Sequence, residues 1–234
     1  MRASLAVLLA LTSLADPAGA ATRNFGITSF EKVRVDGPFK VTLITGVAPY
    51  ARAIGSPAAI DRVAIDVRGN TLVVHNNASA WGTYPGADVG PVVIELGTHD
   101  LTSAWLNGSG SLAIDKVKGL TFDLSVSGSG LGSIERVAVD QMTINVAGTA
   151  NARLIGQAAK TTSLIRGIST LDASKLEVKD ASINADGAAT IDATVTNSVK
   201  VNAVGPATIR LSGNPACSVQ ASGSASISGC KKSQ

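Results

Sequence analysis

From residue 108 onward a glycine recurs at positions 108, 128, 148, 167, 187, 205 and 223, at spacings of 20, 20, 19, 20, 18 and 18 residues. A period of this length is one coil of a stacked repeat, and each coil must bury its apolar face against the next. The flanking positions repeat as well. Two residues after each glycine stand Gly110, Gly130, Ala150, Ser169, Ala189, Ala207 and Ala225, all small. Two residues before come Leu106, Val126, Val146, Ile165, Ala185, Ala203 and Ala221, and four before come Ala104, Leu124, Ile144, Ser163, Ile183, Val201 and Val219. Such period-two alternation is the signature of a strand, whose successive side chains point to opposite faces. The pattern predicts a nine-residue extended segment in every repeat, with a narrow glycine-x-small waist at its centre.

Repeats with strand character and no helical periodicity predict an all-β fold, a right-handed parallel β-helix of about seven clear coils over 99–234. At about 4.8 Å per coil the rod is on the order of 30 Å long. Leucine-rich repeats have a similar period, but their Leu-x-Leu and Asn signature is absent. A β-sandwich explains alternation without explaining one pattern recurring seven times. Composition agrees with a thin core: all 8 aromatic residues precede residue 123, and the last is Phe122. Residues 21–98 read as a β region continuous with the coil and capping it. There Val33, Val35, Phe39, Val41 and Leu43 alternate around Asp36-Gly37-Pro38. Two apolar runs, 63–67 and 71–74, bracket Arg68-Gly69-Asn70 as a hairpin.

The stretch Phe30-Glu31-Lys32-Val33-Arg34-Val35-Asp36-Gly37-Pro38-Phe39-Lys40-Val41 and the motif Leu/Val-x-Gly-Ser-Gly, at 106–110 and 126–130, resemble a bacterial family, the putative auto-transporter adhesin, head GIN domain. The ending Ala207-Thr208-Ile209-Arg210-Leu211-Ser212-Gly213-Asn214-Pro215 is similar to the closing coil of that family, and the resemblance runs from about residue 28 to 228. It implies an exported β-helical fold and an adhesive role, and it brings no catalytic residues with it.

The ends of the chain carry their own signals. Arg2, the apolar run Leu5 to Leu14 and Ala18-Gly19-Ala20 read as a signal peptide over 1–20, which sends the chain to the periplasm, the cell surface or the extracellular space. Cys217 and Cys230 close a loop of 14 residues and are expected to form a disulfide in an oxidising compartment. That loop is worth about 3 kcal/mol through restriction of the unfolded chain. No later segment is long and apolar enough to predict a membrane span. The net charge of +3 forms no basic stripe, so nucleic acid is not an expected partner.

Chemistry is sparse. At five residues past the repeat glycine the sequence places Arg153, Asp172, Asp192 and Arg210 in one column, with Asp186 elsewhere, at one residue before its glycine. The column reads as a charge-balanced structural ladder, since opposite charges on neighbouring strands stabilise a sheet; a carboxylate site for a polysaccharide-cleaving enzyme, or one for a polyanion or divalent ion, is the competing reading. His75 and His99 have no metal-ligand spacing and read as turn residues, and neither a metal nor a cofactor is expected. At three residues before the glycine stand Trp105, Ser125, Asn145, Leu164, Asn184, Asn202 and Gln220, an imperfect amide ladder. Trp81 and Tyr84, in a Gly/Pro-rich loop, read first as cover for the open end of the coil and second as a stacking platform. Trp81, Tyr84 and Trp105 are therefore the residues expected to contact a partner, a surface glycan or an envelope protein. The expected function is a noncatalytic adhesin-like binding module, with a carbohydrate-active enzyme and a self-assembling envelope scaffold as alternatives.

Overall fold

The computed structural model of the protein describes residues 20–77 and 90–231. Its strands are β1 (Ala21–Phe25), β2 (Lys32–Asp36), β3 (Lys40–Thr45), β4 (Tyr50–Gly55), β5 (Val63–Arg68) and β6 (Thr71–Asn76), with one helical turn, α1 (Pro57–Asp61), before β5. There follow β7 (Val93–Thr98), β8 (Ser103–Gly108), β9 (Ser111–Ile114), β10 (Val117–Gly128), β11 (Leu131–Gly148) and β12 (Asn151–Gly167). The last are β13 (Thr170–Asp186), β14 (Thr190–Val204), β15 (Thr208–Ser212), β16 (Ala216–Ser222) and β17 (Ser226–Ser228). Coil stacks on coil in parallel register, making a β-solenoid of about six turns.

The long strands bend around corners and so contribute to three faces. On the first face β8 pairs with residues 123–128 of β10, which pair in turn with residues 143–148 of β11 and 162–167 of β12. The second face stacks β9, residues 131–134, residues 151–153, residues 170–173, residues 190–194 and β15. The third face begins with residues 117–122 of β10 against 137–142 of β11, and register shifts at Ile134/Val137 and Arg153/Ile155 mark the corner leading into it.

The repeat glycines form the corner between the first and second faces instead of the middle of one strand. Each has positive φ, +103° at Gly128 and +90° at Gly148, a region L side chains seldom enter. The coils also touch there. A Cβ on Gly148 would lie 2.5 Å from the carbonyl oxygen of Gly128, and one on Gly128 would lie 2.6 Å from that of Gly108. Those same oxygens are used, since Ser129 N donates to Gly108 O at 3.0 Å and Thr149 N to Gly128 O at 2.8 Å. The small residues two positions on are buried against this corner. Ala150, Ser169, Ala189 and Ala207 are buried, and Ser169 Oγ donates to Gly148 O at 3.1 Å or Arg166 O at 2.9 Å, which satisfies the hydroxyl inside the wall.

The stack does not follow chain order at its beginning. β2 lies between β6 and β8, and β3 lies between β7 and β9. The coil at 32–45 is therefore the second layer in space although first in sequence. Its Gly37 opens the corner column beneath Gly108, whose added Cβ would lie 3.2 Å from Gly37 O. Beyond this layer the end of the rod is built of antiparallel pairs: β4 against β7, β1 against β4, and the β5–β6 hairpin with Arg68 facing Thr71. Ser56 Oγ caps α1 by accepting from Ala59 N at 3.1 Å. Phe30, Phe39 and Phe122 are buried in this part of the core, while Ile, Val, Leu and Ala fill the later coils.

At the other end, Cys217 and Cys230 are joined by a disulfide. Cys217 faces Val199 of the preceding coil, so the bridge stands at the end of an inward column.

Two outcomes follow from this architecture. Gly148→Ala combines left-handed strain with overlap of the carbonyl below, about 1–3 kcal/mol each, whereas a Cβ on Gly119 meets nothing within 4 Å and brings strain alone. Urea denaturation followed by circular dichroism should show the larger loss at Gly148. Reduction of Cys217–Cys230 should raise hydrogen exchange in β16 and β17 and leave β11 to β13 protected, because each coil is held mainly by its neighbours.

Candidate functional site: a tryptophan platform on the first face

Outward side chains of the first face form a grid, one row per coil. Arg34 of β2 faces Trp105 of β8, which faces Ser125 of β10. The column continues through Asn145, Leu164, Asn184, Asn202 and Gln220, each facing the next in register. In the adjacent column Asp36 faces Asn107. Trp105 is half-buried, so its ring rests partly on the sheet and partly in solvent.

One carboxylate organises the surroundings of the ring. Arg34 Nε donates to Asp36 Oδ1 at 3.0 Å, and Asn107 Nδ2 donates to the same oxygen at 2.7 Å. Together with Thr71 of β6, Arg34, Trp105 and Asn107 line a shallow depression of about 470 Å³. The Thr71 hydroxyl and the Asn107 side-chain carbonyl make no side-chain hydrogen bond among the described residues. An aromatic ring beside solvent-accessible polar groups that are free to bond a ligand is a composition suited to a small polar ligand.

The column of Arg153, Asp172, Asp192 and Arg210 lies on the second face, and each member faces the next. Arg210 grips Asp192 in a two-pronged pair, Nε to Oδ1 at 2.6 Å and Nη2 to Oδ2 at 3.0 Å. Asp172 accepts from Ser174 Oγ at 2.6 Å and stands 3.8 Å from Arg153 Nε. The Ser174 hydroxyl holds the Asp172 carboxyl below the ordinary aspartate range, with its amide, Arg153 and Lys175 adding to the effect against partial desolvation. Asp192 pushes the Arg210 guanidinium up, through its hydrogen bond first and its charge second. A similar arrangement, less visible in the sequence, surrounds Asp180 on the third face. There Ser198 Oγ at 2.5 Å and Asn197 Nδ2 at 2.7 Å depress the carboxyl. A general acid needs the opposite shift.

Other sequence candidates fall apart in space. Asp186 lies on the first face opposite Arg166, in a different column from Asp172. His75 sits on β6 instead of a turn, where its ring binds Asp66 Oδ2 at 2.8 Å and Asn76 O at 2.9 Å, and His99 is exposed beside β7. Trp81 and Tyr84 lie outside the described residues. The described residues contain no group of three or more metal-ligating side chains and no helix long and apolar enough to cross a membrane.

Stacked parallel strands on three faces, meeting at a glycine corner, define a β-solenoid. The chain belongs to the family described as putative auto-transporter adhesin, head GIN domain, whose sequence profile matches residues 29–215. Among solved structures it is similar to a putative adhesin from Bacteroides fragilis NCTC 9343, with a TM-score of 0.81 and 16% identity, covering 90% of this chain and 97% of that one. It is also similar to a putative lipid binding protein from Parabacteroides distasonis ATCC 8503, with a TM-score of 0.71 and 19% identity over 89% and 96% of the two chains. A putative adhesin from Parabacteroides merdae ATCC 43184 gives 0.65 and 18% over 89% and 95%. At these identities the likeness is one of fold. No functionally curated protein matches.

The sign of the Asp172 shift makes a checkable statement. A carboxyl depressed in the folded state adds stability above its unfolded pKa and loses it as pH falls through the folded value. Ser174→Ala should therefore move the Asp172 carboxyl titration, read by carbon-detected NMR, upward toward ordinary aspartate and flatten the acid limb of the stability profile.

Proposed function

We propose that this protein is a noncatalytic, exported binding module, acting in the periplasm or at the cell surface, that holds a glycan against the Trp105 platform. The observation that carries the reading is a half-buried tryptophan on a polar sheet, with Arg34 and Asn107 held beside it by Asp36 and Thr71 brought there by the pairing of β6 with β2. A sugar ring offers an apolar face for the indole and hydroxyls at its rim for those polar groups, so both halves of the site have a use. The family and two of the described neighbours carry the name adhesin, which supports a binding role. The disulfide supports export, since such bonds persist in oxidising compartments.

An enzymatic role has weaker support. Asp172 and Asp192, the carboxylates best placed by sequence, are engaged by Ser174, Arg153 and Arg210, and Asp172 is shifted away from the protonated form that a general acid uses. We read that column as a structural ladder.

A glycan array run with the wild type and Trp105→Ala tests the platform. The expected result is a defined set of retained glycans and a drop of tenfold or more in apparent affinity, about 1.4 kcal/mol or more, with unchanged circular dichroism. Wild-type retention that survives Trp105→Ala would move binding to another surface. Incubation of acidic and neutral polysaccharides with the protein should leave chain length unchanged. Depolymerisation abolished by Asp172→Ala or Asp192→Ala would overturn the noncatalytic reading.

A further inference from the structure

The two ends of the solenoid are finished differently. The N-terminal end is built of antiparallel strands, and its outermost strand, β1, carries a charge, Arg23, paired to Asp61 at 2.6 Å. At the other end the last coil is left open. β16 pairs only with β14, and β17 only with β15, among the described residues. Inward positions that are buried one coil earlier are uncovered here: Val201 is 0% exposed, whereas Val219, which faces it, is 44% exposed. Ala203 is likewise buried and its partner Ala221 exposed.

Among the described residues, the longer edge strand of this coil, β16, lacks the charge and the internal proline that keep sheet edges apart. Proteins blunt an edge with charges, a proline within the strand, a bulge or a covering segment. From Leu211 to Cys230 the sequence contains no charged residue, and neither β16 nor β17 contains a proline. Lys231, whose backbone N donates to Pro215 O at 2.9 Å, is the first charge after it. The disulfide, meanwhile, holds both ends of the coil in place, so the edge is presented as a fixed template and little ordering is needed on pairing.

We infer that this coil is a tail-to-tail interface with a second copy of the chain, in which β16 pairs antiparallel with β16 of the copy and Val219 is covered at the junction. The absence of charge selects that occupant. Across a two-fold axis each residue near the axis meets its own duplicate, so any charge there repels itself; a coil made only of neutral residues meets itself without that cost. Specific recognition of an unrelated partner would instead draw on complementary charge, which this coil does not offer. Because the contact is isologous, each copy uses the same coil to bind the other, and the association stops at a dimer without propagating into a fibre.

The test is sedimentation velocity of the purified protein across a wide concentration range, with circular dichroism and disulfide content checked for each variant. The expected result is a monomer–dimer equilibrium for the wild type. Val219→Lys and Val219→Glu should each sediment as monomers, and an equimolar mixture of the two should recover the dimer. A wild type that stays monomeric at every concentration overturns the inference, as does a wild-type dimer that persists in both charged variants. Loss of glycan retention in Trp105→Ala leaves this result untouched, since the two surfaces lie at different places on the rod.

Discussion

Everything in this protein depends on how closely successive coils meet at the glycine corner. There the backbone of one coil lies against the backbone of the next, and the carbonyl that a Cβ would strike is the one that accepts the next coil's amide. The contact therefore demands a residue without a side chain, and it fixes the vertical register of both adjoining faces. Once the corner is fixed, equivalent positions must stack. Inward columns become continuous strips of Ile, Val, Leu and Ala, and from Gly110 to Ala207 the buried positions beside the corner hold only Gly, Ala or Ser. After Phe122, which faces Met142 in the next coil, the interior is filled without aromatic rings.

Stacking also decides what the outer surface can do. A charge placed at one repeat position becomes the neighbour of the same position in the next coil, so like charges must be balanced along the column. The second face shows the result over nearly its full length: Arg52 pairs with Glu95, and further on Arg153 and Arg210 flank Asp172 and Asp192. These exposed pairs are worth little individually, but they commit the carboxylates to one another. The first face is different, since its central column is largely neutral and carries the half-buried tryptophan.

The later coils were legible because each obeys one rule. The glycine period, the small column, the disulfide and the charged column all appear in the structure where spacing placed them. The corner itself was hidden by parity. Residues at −1, 0 and +1 turn outward around the bend and the chain re-enters the core at +2, so an even number of steps separates inward residues and the alternation looks unbroken. The coil at 32–45 was hidden for another reason. Its corner glycine, Gly37, is separated from Gly108 by 71 residues (108 − 37), far from any period, and Phe39 occupies the position kept small in every later coil. Trp105 was visible as a break in the amide ladder, but its partners Arg34, Asp36 and Thr71 come from strands that only the folded order brings beside it.

That displaced order bears on how the rod is built. The coil at 32–45 is synthesised before either of its neighbours: one side stays vacant until the chain has extended through residue 98, and the other until it has extended through residue 114. Coils from β10 onward can be laid down one upon the next as the polypeptide lengthens, each with its template already made. The beginning of the molecule cannot grow in this way. It has to be wrapped from both sides around a layer already in place, which concentrates the long-range contacts, and with them the slow steps of folding, at the N-terminal end.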